Sequence, residues 1–360
     1  MKKMKVLFVA RRFPPSIGGM EQFAYDLSEA LPDKETTLVK VTWGGSSRLT
    51  LIFALPWLFL KSLWQLWTDR SIDIIHMQDA VMSPVGWLLS KLSRRPWVVV
   101  AHGLDLTFTL AFYQKVNIFF ARKAASMIAI SEATAEEARQ RGISSRELTV
   151  IPLGVDGHQL PKTDRVTTRR SIGLDKDAPV LLTVGRLAKR KGVAWFIGTV
   201  LPKLPDNVHY VVIGEGTEQA AIKKAIQINN LSDRVHLLGA VDLATKEQWL
   251  AAADIFVMPN VRIAGDMEGF GIVAHEAAMA GLPVVASNLE GIAQALQDGK
   301  NGFLLPPHDG VAYRSTITDL LHHPKNGIEF GRKARAYTSK HFGWATIAED
   351  YRQVYRKFIP

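Results

Sequence analysis

The chain has 360 residues, an apolar share of 47% and a net charge of +10, which suits two α/β domains with sizeable cores. It has no Cys, which excludes disulfides and thiolate chemistry. The basic residues are dispersed and no common nucleic-acid motif accompanies them, which leaves an anionic substrate or anionic lipid as the partner of the positive charge.

Residues 5–10 read as a buried strand. The apolar stretch Val6 to Ala10, closed by Arg11 and Arg12, is too short for a signal peptide, so a cytoplasmic location is expected. A loop, Phe13-Pro-Pro-Ser-Ile-Gly18-Gly19, leads to an amphipathic helix over 20–31, and 38–41 form a second strand. The run 51–60 is apolar, interrupted only by Pro56, and is followed by Lys61, Gln65 and Asp69 on a polar stripe. It carries Phe53, Trp57 and Phe59, with Trp64 and Trp67 next, and six of the nine Trp residues precede position 100. A span needs about 20 residues, so this segment either packs on the N-terminal sheet or lies in a membrane interface, with Lys91, Arg94, Arg95, Lys115, Arg122 and Lys123 facing anionic lipid.

Short apolar strands at 72–76, 97–101 and 127–130 alternate with helices near 83–93, 109–125 and 132–141. That alternation implies a parallel sheet covered on both faces. The stretch 148–156 closes the first unit. Residues 157–177 are polar, carry a basic patch at Arg169 and Arg170, and read as a linker. The second alternation has strands at 180–184, 208–213, 235–238, 255–258, 283–286 and 302–304. Its helices fall at 193–202, 217–229, 245–252, 272–281, 291–296, 310–321, 327–340 and 344–358. Ligands of such sheets bind outside the carboxyl ends of the strands.

The chemistry concentrates at 268–281, where Glu268-Gly-Phe-Gly271 precedes an apolar helix. The first N–H groups of that helix have no partner within it, and its dipole favours an anion such as a phosphate. Glu276 shares a face with Ile272. A carboxylate repels phosphate, so Glu276 is better suited to accept from ribose hydroxyls, while Glu268 faces the same opening. A phosphate, a ribose and a further group together describe a sugar nucleotide. The alternative is a strand–turn–helix unit with solvated or capping glutamates. A second stretch, Val184-Gly-Arg186-Leu-Ala-Lys189-Arg190-Lys191-Gly192, leaves a strand with four cations that a diphosphate would need; alone, it also reads as a solvated charge run.

Taken together, Gly185-Arg186…Lys191-Gly192, Glu268-x7-Glu276 and Pro283-Val-Val-Ala resemble the retaining glycosyltransferases of family 4, and the resemblance runs essentially the whole chain. Gly18-Gly19, Asp73-Ile-Ile-His76, Ala101-His102-Gly103 and Ile151-Pro-Leu-Gly-Val-Asp156 fit it in order. It implies the GT-B fold, with two Rossmann-like doubly wound parallel-sheet domains facing across a cleft. Residues 1–160 would bind the acceptor, 161–343 the nucleotide sugar, and a helix over 344–360 would cross back to the N-terminal domain. Arg186, Lys191, the Gly18-Gly19 backbone and the Ile272 and Val273 backbone would hold the diphosphate, and Glu276 the ribose. Glu268 and the Gly269-Phe270-Gly271 backbone would meet the donor sugar. His102 would act at the reacting centre, and Gly214, Gly216, Ala240 and Val241 would flank the base.

The implied activity is a hexosyltransferase of cell-envelope polysaccharide or glycolipid assembly. It would move a sugar from a UDP- or GDP-sugar to a glycan or lipid-linked hydroxyl, without cofactor or metal and with retention by same-face attack. A peripheral membrane location follows if the acceptor is lipid-linked. His102 stands at a strand end, where a merely structural His also fits, with Asp105 to orient it or to cap the next segment; His76 reads as structural or acceptor-side. Asp175-Lys-Asp177 reads as a turn rather than a metal motif. Gly214-Glu-Gly216 lacks the third glycine of a dinucleotide fingerprint. The alternatives are a nucleotide-sugar epimerase of the same fold and a non-catalytic sugar-nucleotide-binding subunit.

Overall fold

A computed structural model of the chain describes residues 3–16, 18–44, 50–107, 111–144, 146–155 and 165–359. The chain forms two compact units, Met1–Gly154 with Phe342–Pro360, and Val155–His341. The first contains β1 (Met4–Ala10), α1 (Gly19–Ala30), β2 (Thr36–Thr42), α2 (Thr50–Thr68), β3 (Ile74–Met77), α3 (Ser83–Ser93), β4 (Trp97–Ala101), α4 (Leu104–Thr107), α5 (Ala111–Ala121), β5 (Ser126–Ala129), α6 (Glu132–Gln140) and β6 (Leu148–Val150). Its strands lie in the order β2-β1-β3-β4-β5-β6, all parallel. β1, β3, β4 and β5 are almost wholly buried, because a parallel sheet is covered on both faces and its strands are continuous apolar runs.

The second unit contains α7 (Arg165–Arg170), β7 (Val180–Val184), α8 (Val193–Thr199), β8 (His209–Ile213), α9 (Gln219–Ile228), β9 (Val235–Gly239), α10 (Leu243–Ala252), β10 (Ile255–Met258), α11 (Ile272–Met279), β11 (Val284–Ser287), α12 (Ile292–Ala295), β12 (Phe303–Leu305), α13 (Gly310–His322) and α14 (Pro324–Phe342). Its parallel sheet runs β12-β11-β10-β7-β8-β9. The order reverses between β7 and β10, so the loops that leave those two strands, 185–192 and 259–271, flank the crevice where such sheets take ligands. The last helix, α15 (Trp344–Arg356), belongs to the first unit. There Tyr355 and Arg352 bond to His76 and to the Leu31 carbonyl.

Three expectations change. The expected linker contains α7, and Arg169, expected in its basic patch, is buried. Its guanidinium donates to the carbonyls of Ala252, Lys176 and Ala178 and pairs with Asp254 at 2.7 Å, which ties the segment to the C-terminal sheet. The helix expected over 193–202 ends at Thr199 and passes into a tight turn at Leu201–Lys203, since Pro202 offers no N–H and disfavours helix before it. The helix expected over 109–125 is the shorter α5. Asp156 and the rest of 156–164 lie outside the described residues.

Candidate functional site

The carboxyl ends of β7, β8 and β9 are stitched together by backbone. The Gly185 N–H bonds to Ile213 O at 2.9 Å, Gly214 N–H to Gly239 O at 2.8 Å and Leu187 N–H to Glu215 O at 2.8 Å. Gly214 has φ of +134°, and a Cβ there would stand 2.0 Å from the Gly185 carbonyl, so only glycine permits this approach. Gly216 abuts the Leu187 carbonyl in the same way. Ala240 and Val241 follow β9 at the same edge, Ala240 exposed and Val241 half-buried. The residues expected around a base therefore do assemble at one sheet edge.

The four-cation run divides. Arg186 and Lys189 are exposed, whereas Arg190 and Lys191 are buried. A tight turn at Lys189–Lys191 ends on Gly192, whose φ of +66° and contact with the Pro259 carbonyl exclude a side chain. That turn drives Lys191 inward, where its Nζ lies 2.6 Å from Glu268 Oε2. Arg190 donates to Asp266 at 2.9 Å and lies 3.4 Å from the same Glu268 oxygen. Asn260 Nδ2 donates to Glu268 Oε2 at 3.2 Å, and the Glu268 N–H donates to Glu290 at 2.6 Å. Burial pushes the Glu268 carboxyl up, but Lys191 and Arg190 outweigh it and hold it below its ordinary value. Burial, with the Glu268 charge nearby, pushes Glu290 above its own.

Gly271 caps α11 in the left-handed region, and no side chain caps the first turn. The first N–H groups, those of Ile272 and Val273, thus have no capping side chain and no partner within the helix. Ile272, Val273 and Glu276 are half-buried while Ala274, His275, Ala277 and Ala278 are buried, so the open side of α11 is the side that carries Glu276. Both Glu276 oxygens accept from Lys246 Nζ at 2.9 Å. The Phe270 side chain is buried edge-on against His275, so the residue expected at a sugar turns its ring into the core. Sequence reasoning missed Lys246, Arg190 as a buried group, Asn260 and Glu290. Asn260 alone had a signal, its place just past β10.

In the first unit, His102 is half-buried after β4. Its Nε2–H donates to the Gln78 carbonyl at 2.9 Å, which sets the tautomer, and no bond to Nδ1 occurs among the described residues. Asp105 accepts from the His102 main-chain N–H at 3.0 Å and from Ala80 N–H at 3.1 Å; it caps the segment rather than orienting the ring. Phe23 of α1 meets the imidazole edge-on at 5.7 Å. Gly18 and Gly19 open α1, and space is clear over Gly19. Over Gly18 stands the buried carboxylate of Glu21, which pairs with Arg12 at 2.9 Å. Glu21 was not foreseen. His76 is a core residue, stacked on Phe8 and bonded to Gln78 and Tyr355. Asp175 and Asp177 are exposed in the turn before β7, and no cluster of three His, Asp or Glu side chains suited to a metal occurs among the described residues.

Two family models match the chain, "Glycosyltransferase Family 4" over residues 17–159 and "Glycosyl transferases group 1" over 178–323. The chain belongs to the group 1, family 4 glycosyltransferases. A "D-inositol 3-phosphate glycosyltransferase 2" of Catenulispora acidiphila is 28% identical over 80% of this chain and 71% of its own. A "Glycogen synthase" of Mycobacterium tuberculosis is 26% identical over 98% of this chain and 94% of its own. The crystal structure of Anabaena HepE in complex with UDP superposes with a TM-score of 0.80 at 24% identity, over 98% of this chain and all of that one. These likenesses make the fold GT-B and this family 4 member a glycosyltransferase.

Proposed function

We propose that the chain moves a hexose from a UDP- or GDP-sugar to a hydroxyl of a glycan or lipid-linked acceptor, with retention and without a metal. Residues 161–343 take the donor, residues 1–160 the acceptor, and 344–360 return to the N-terminal domain. The observation that carries this reading is the buried Lys191–Glu268 pair beside the uncapped start of α11, with Glu276 on the open side of the same helix. Lys191 and Arg186 supply charge for the diphosphate, joined by the Ile272 and Val273 backbone. Glu276 accepts from the ribose, Glu268 and the Gly269–Gly271 backbone from the sugar, and the Gly214, Gly216, Ala240 and Val241 edge holds the base.

The bond from sugar C1 to the diphosphate oxygen breaks, leaving an oxocarbenium-like centre. The acceptor oxygen bonds to C1 on the face the diphosphate leaves, and its proton passes to the diphosphate. Because the cations stabilise the leaving group and His102 lies on the acceptor side, positioning and electrostatics do the catalysis. The lipid-linked form of the acceptor places the enzyme on the inner face of the cytoplasmic membrane, in the building of envelope polysaccharide or glycolipid.

A panel of UDP-, GDP- and ADP-sugars screened by thermal shift selects the donor. Turnover of that donor, labelled, with NMR of the product's anomeric configuration, then tests the reaction. Transfer with retention is expected; inversion sinks the same-face mechanism. Conversion of the donor without acceptor would identify an epimerase, and binding without turnover a binding subunit.

A further inference from the structure

Helices α2, α3 and α5 pack side by side over one face of the N-terminal sheet. Their inner residues, Leu58 and Leu66 of α2, Leu89 of α3 and Ile118 of α5, belong to a single buried core cluster. Their outer residues are not the polar ones a solvated face carries. On α2, Phe53, Trp57, Leu60, Trp64 and Trp67 are all exposed, Phe53 at 72% and Trp67 at 64%. Their alternating spacing of four and three residues sets them in one stripe along the helix. Phe59, by contrast, turns inward and packs on the core. Leu88 and Leu92 of α3 and Phe119 of α5 extend the exposed apolar surface. Eight of the thirteen large hydrophobic side chains exposed among the described residues thus fall on three adjacent helices, which marks an interaction surface rather than scatter.

Charge decides what covers it. None of the three helices contains Asp or Glu, while Lys61, Lys91 and Lys115 are exposed on them and Arg122 and Lys123 follow α5. Asp69, just past α2, is tied to Lys5 at 2.8 Å. Lys61 lies 4.7 Å from the Trp57 ring and Lys123 4.7 Å from the Phe119 ring, so cations and aromatic faces alternate at the surface. A second copy laid on this face would set lysine against lysine with no acid to pair it. A bilayer with anionic headgroups meets both the apolar stripe and the positive charge. No helix among the described residues is long and apolar enough to cross a membrane, so the contact lies along the surface.

We infer that the α2–α3–α5 face docks the enzyme on an anionic lipid surface. The tryptophans of α2 stand at headgroup level, and Phe53 and Leu60 reach the acyl boundary. This deepens the proposed function by naming the surface that brings enzyme and lipid-linked acceptor together, and it rests on that reading only for the link to transfer.

The test is co-sedimentation of the full chain with phosphatidylcholine vesicles of rising phosphatidylglycerol content, with tryptophan emission recorded alongside. Binding is expected to rise with phosphatidylglycerol, fall with salt and shift the emission to the blue. Replacing Phe53, Trp64 and Trp67 by Ser removes apolar area and is expected to cut partitioning roughly tenfold or more. Lys61→Glu with Lys91→Glu should abolish the dependence on phosphatidylglycerol. The melting profile and nucleoside diphosphate binding of each variant show whether the fold survives. No binding at low salt, or binding indifferent to the aromatic replacements, overturns the docking. So does a dimer in sedimentation velocity that the Ser replacements disperse. Vesicle binding without sugar transfer to any lipid-linked acceptor leaves the docking in place and overturns the proposed acceptor class instead.

Discussion

Lys246 of α10 holds both carboxylate oxygens of Glu276 of α11 at 2.9 Å. The two residues are 30 positions apart, and the pair fixes the Glu276 rotamer on the open side of α11. It also neutralises a carboxylate that would otherwise repel a diphosphate at the helix start. Lys246→Met is therefore expected to weaken UDP or GDP binding, by roughly threefold to tenfold given that both side chains are partly exposed. Calorimetry checks this with Lys246→Met, Glu276→Gln and the double variant. The double should bind no more weakly than Glu276→Gln alone, since Lys246 acts through Glu276. Tighter binding by Lys246→Met would mean that the lysine competes with the ribose.

Lys191→Ala and Arg186→Ala are each expected to lose donor affinity by roughly tenfold or more, the worth of one charge-assisted hydrogen bond. Their effects on stability should differ. Arg186 is exposed, so its loss should leave the melting temperature unchanged. Lys191 is buried against Glu268, and its removal strands a carboxylate that Arg190 and Asn260 only partly compensate. A melting temperature lower by a few degrees is expected, and Glu268→Gln added to Lys191→Met should restore most of it. Unchanged donor affinity in both single variants would remove the diphosphate role.

A third expectation concerns acid. His76 and His275 are buried, and burial pushes both down to about 4. In the unfolded chain each takes up a proton near the ordinary imidazole value of about 6.5. The unfolded state thus binds more protons between the two values. Stability is full above about 6.5 and falls as the pH drops toward 4. His76→Gln should flatten part of that slope in urea unfolding measured across the range. An equally steep loss in the variant would show that His76 does not titrate on unfolding.

The sheets were the easiest features to read in the sequence, because strands buried on both faces are continuous apolar runs. Residues 97–101, 180–184 and 255–258 stand where their composition put them. Gly271, the apolar side of α11 and Glu276 were legible for the same reason, being local. What was not legible depends on partners distant in sequence. Nothing around Lys246 signals that it meets Glu276. The run 186–191 does not reveal that Arg186 and Lys189 face solvent while Arg190 and Lys191 turn inward, since that division is set by Gly192 against Pro259. Arg169 read as part of a linker's basic patch because its partners lie as far away as Asp254.

Transfer in EDTA is expected to stay within a few-fold of transfer with magnesium. Lys191, Arg186 and the first N–H groups of α11 can meet the charge of the leaving diphosphate. The measurement is initial rate after exhaustive chelation, with magnesium restored in a parallel sample. An absolute and reversible requirement for the metal would assign charge neutralisation to an ion instead.

Glu276, Glu268 and His102 should separate by what they impair. Glu276 lies on the open side of α11 beside the helix start, where the ribose is proposed to sit, so Glu276→Gln should weaken binding of the nucleoside diphosphate alone. Glu268 is deeper, held in its charged form by Lys191 and Arg190. Its proposed contact is with the sugar, which a nucleoside diphosphate lacks. Glu268→Gln should leave UDP or GDP affinity within a few-fold and lower kcat, and the ionic network around it should loosen. His102 belongs to the N-terminal unit, and its ring is fixed by Nε2–H on the Gln78 carbonyl and by Phe23. Nδ1 is then the ring atom that the proposed contact with the substrate would use. His102→Ala should therefore reduce kcat with little change in nucleotide affinity, and His102→Gln should recover part of the loss only if hydrogen bonding rather than proton transfer is the role. The three variants are to be compared in one set by calorimetry with UDP and GDP and by initial rates with the intact donor. An equal fall in nucleoside diphosphate affinity for all three would show that the groups act as one binding site without the division proposed.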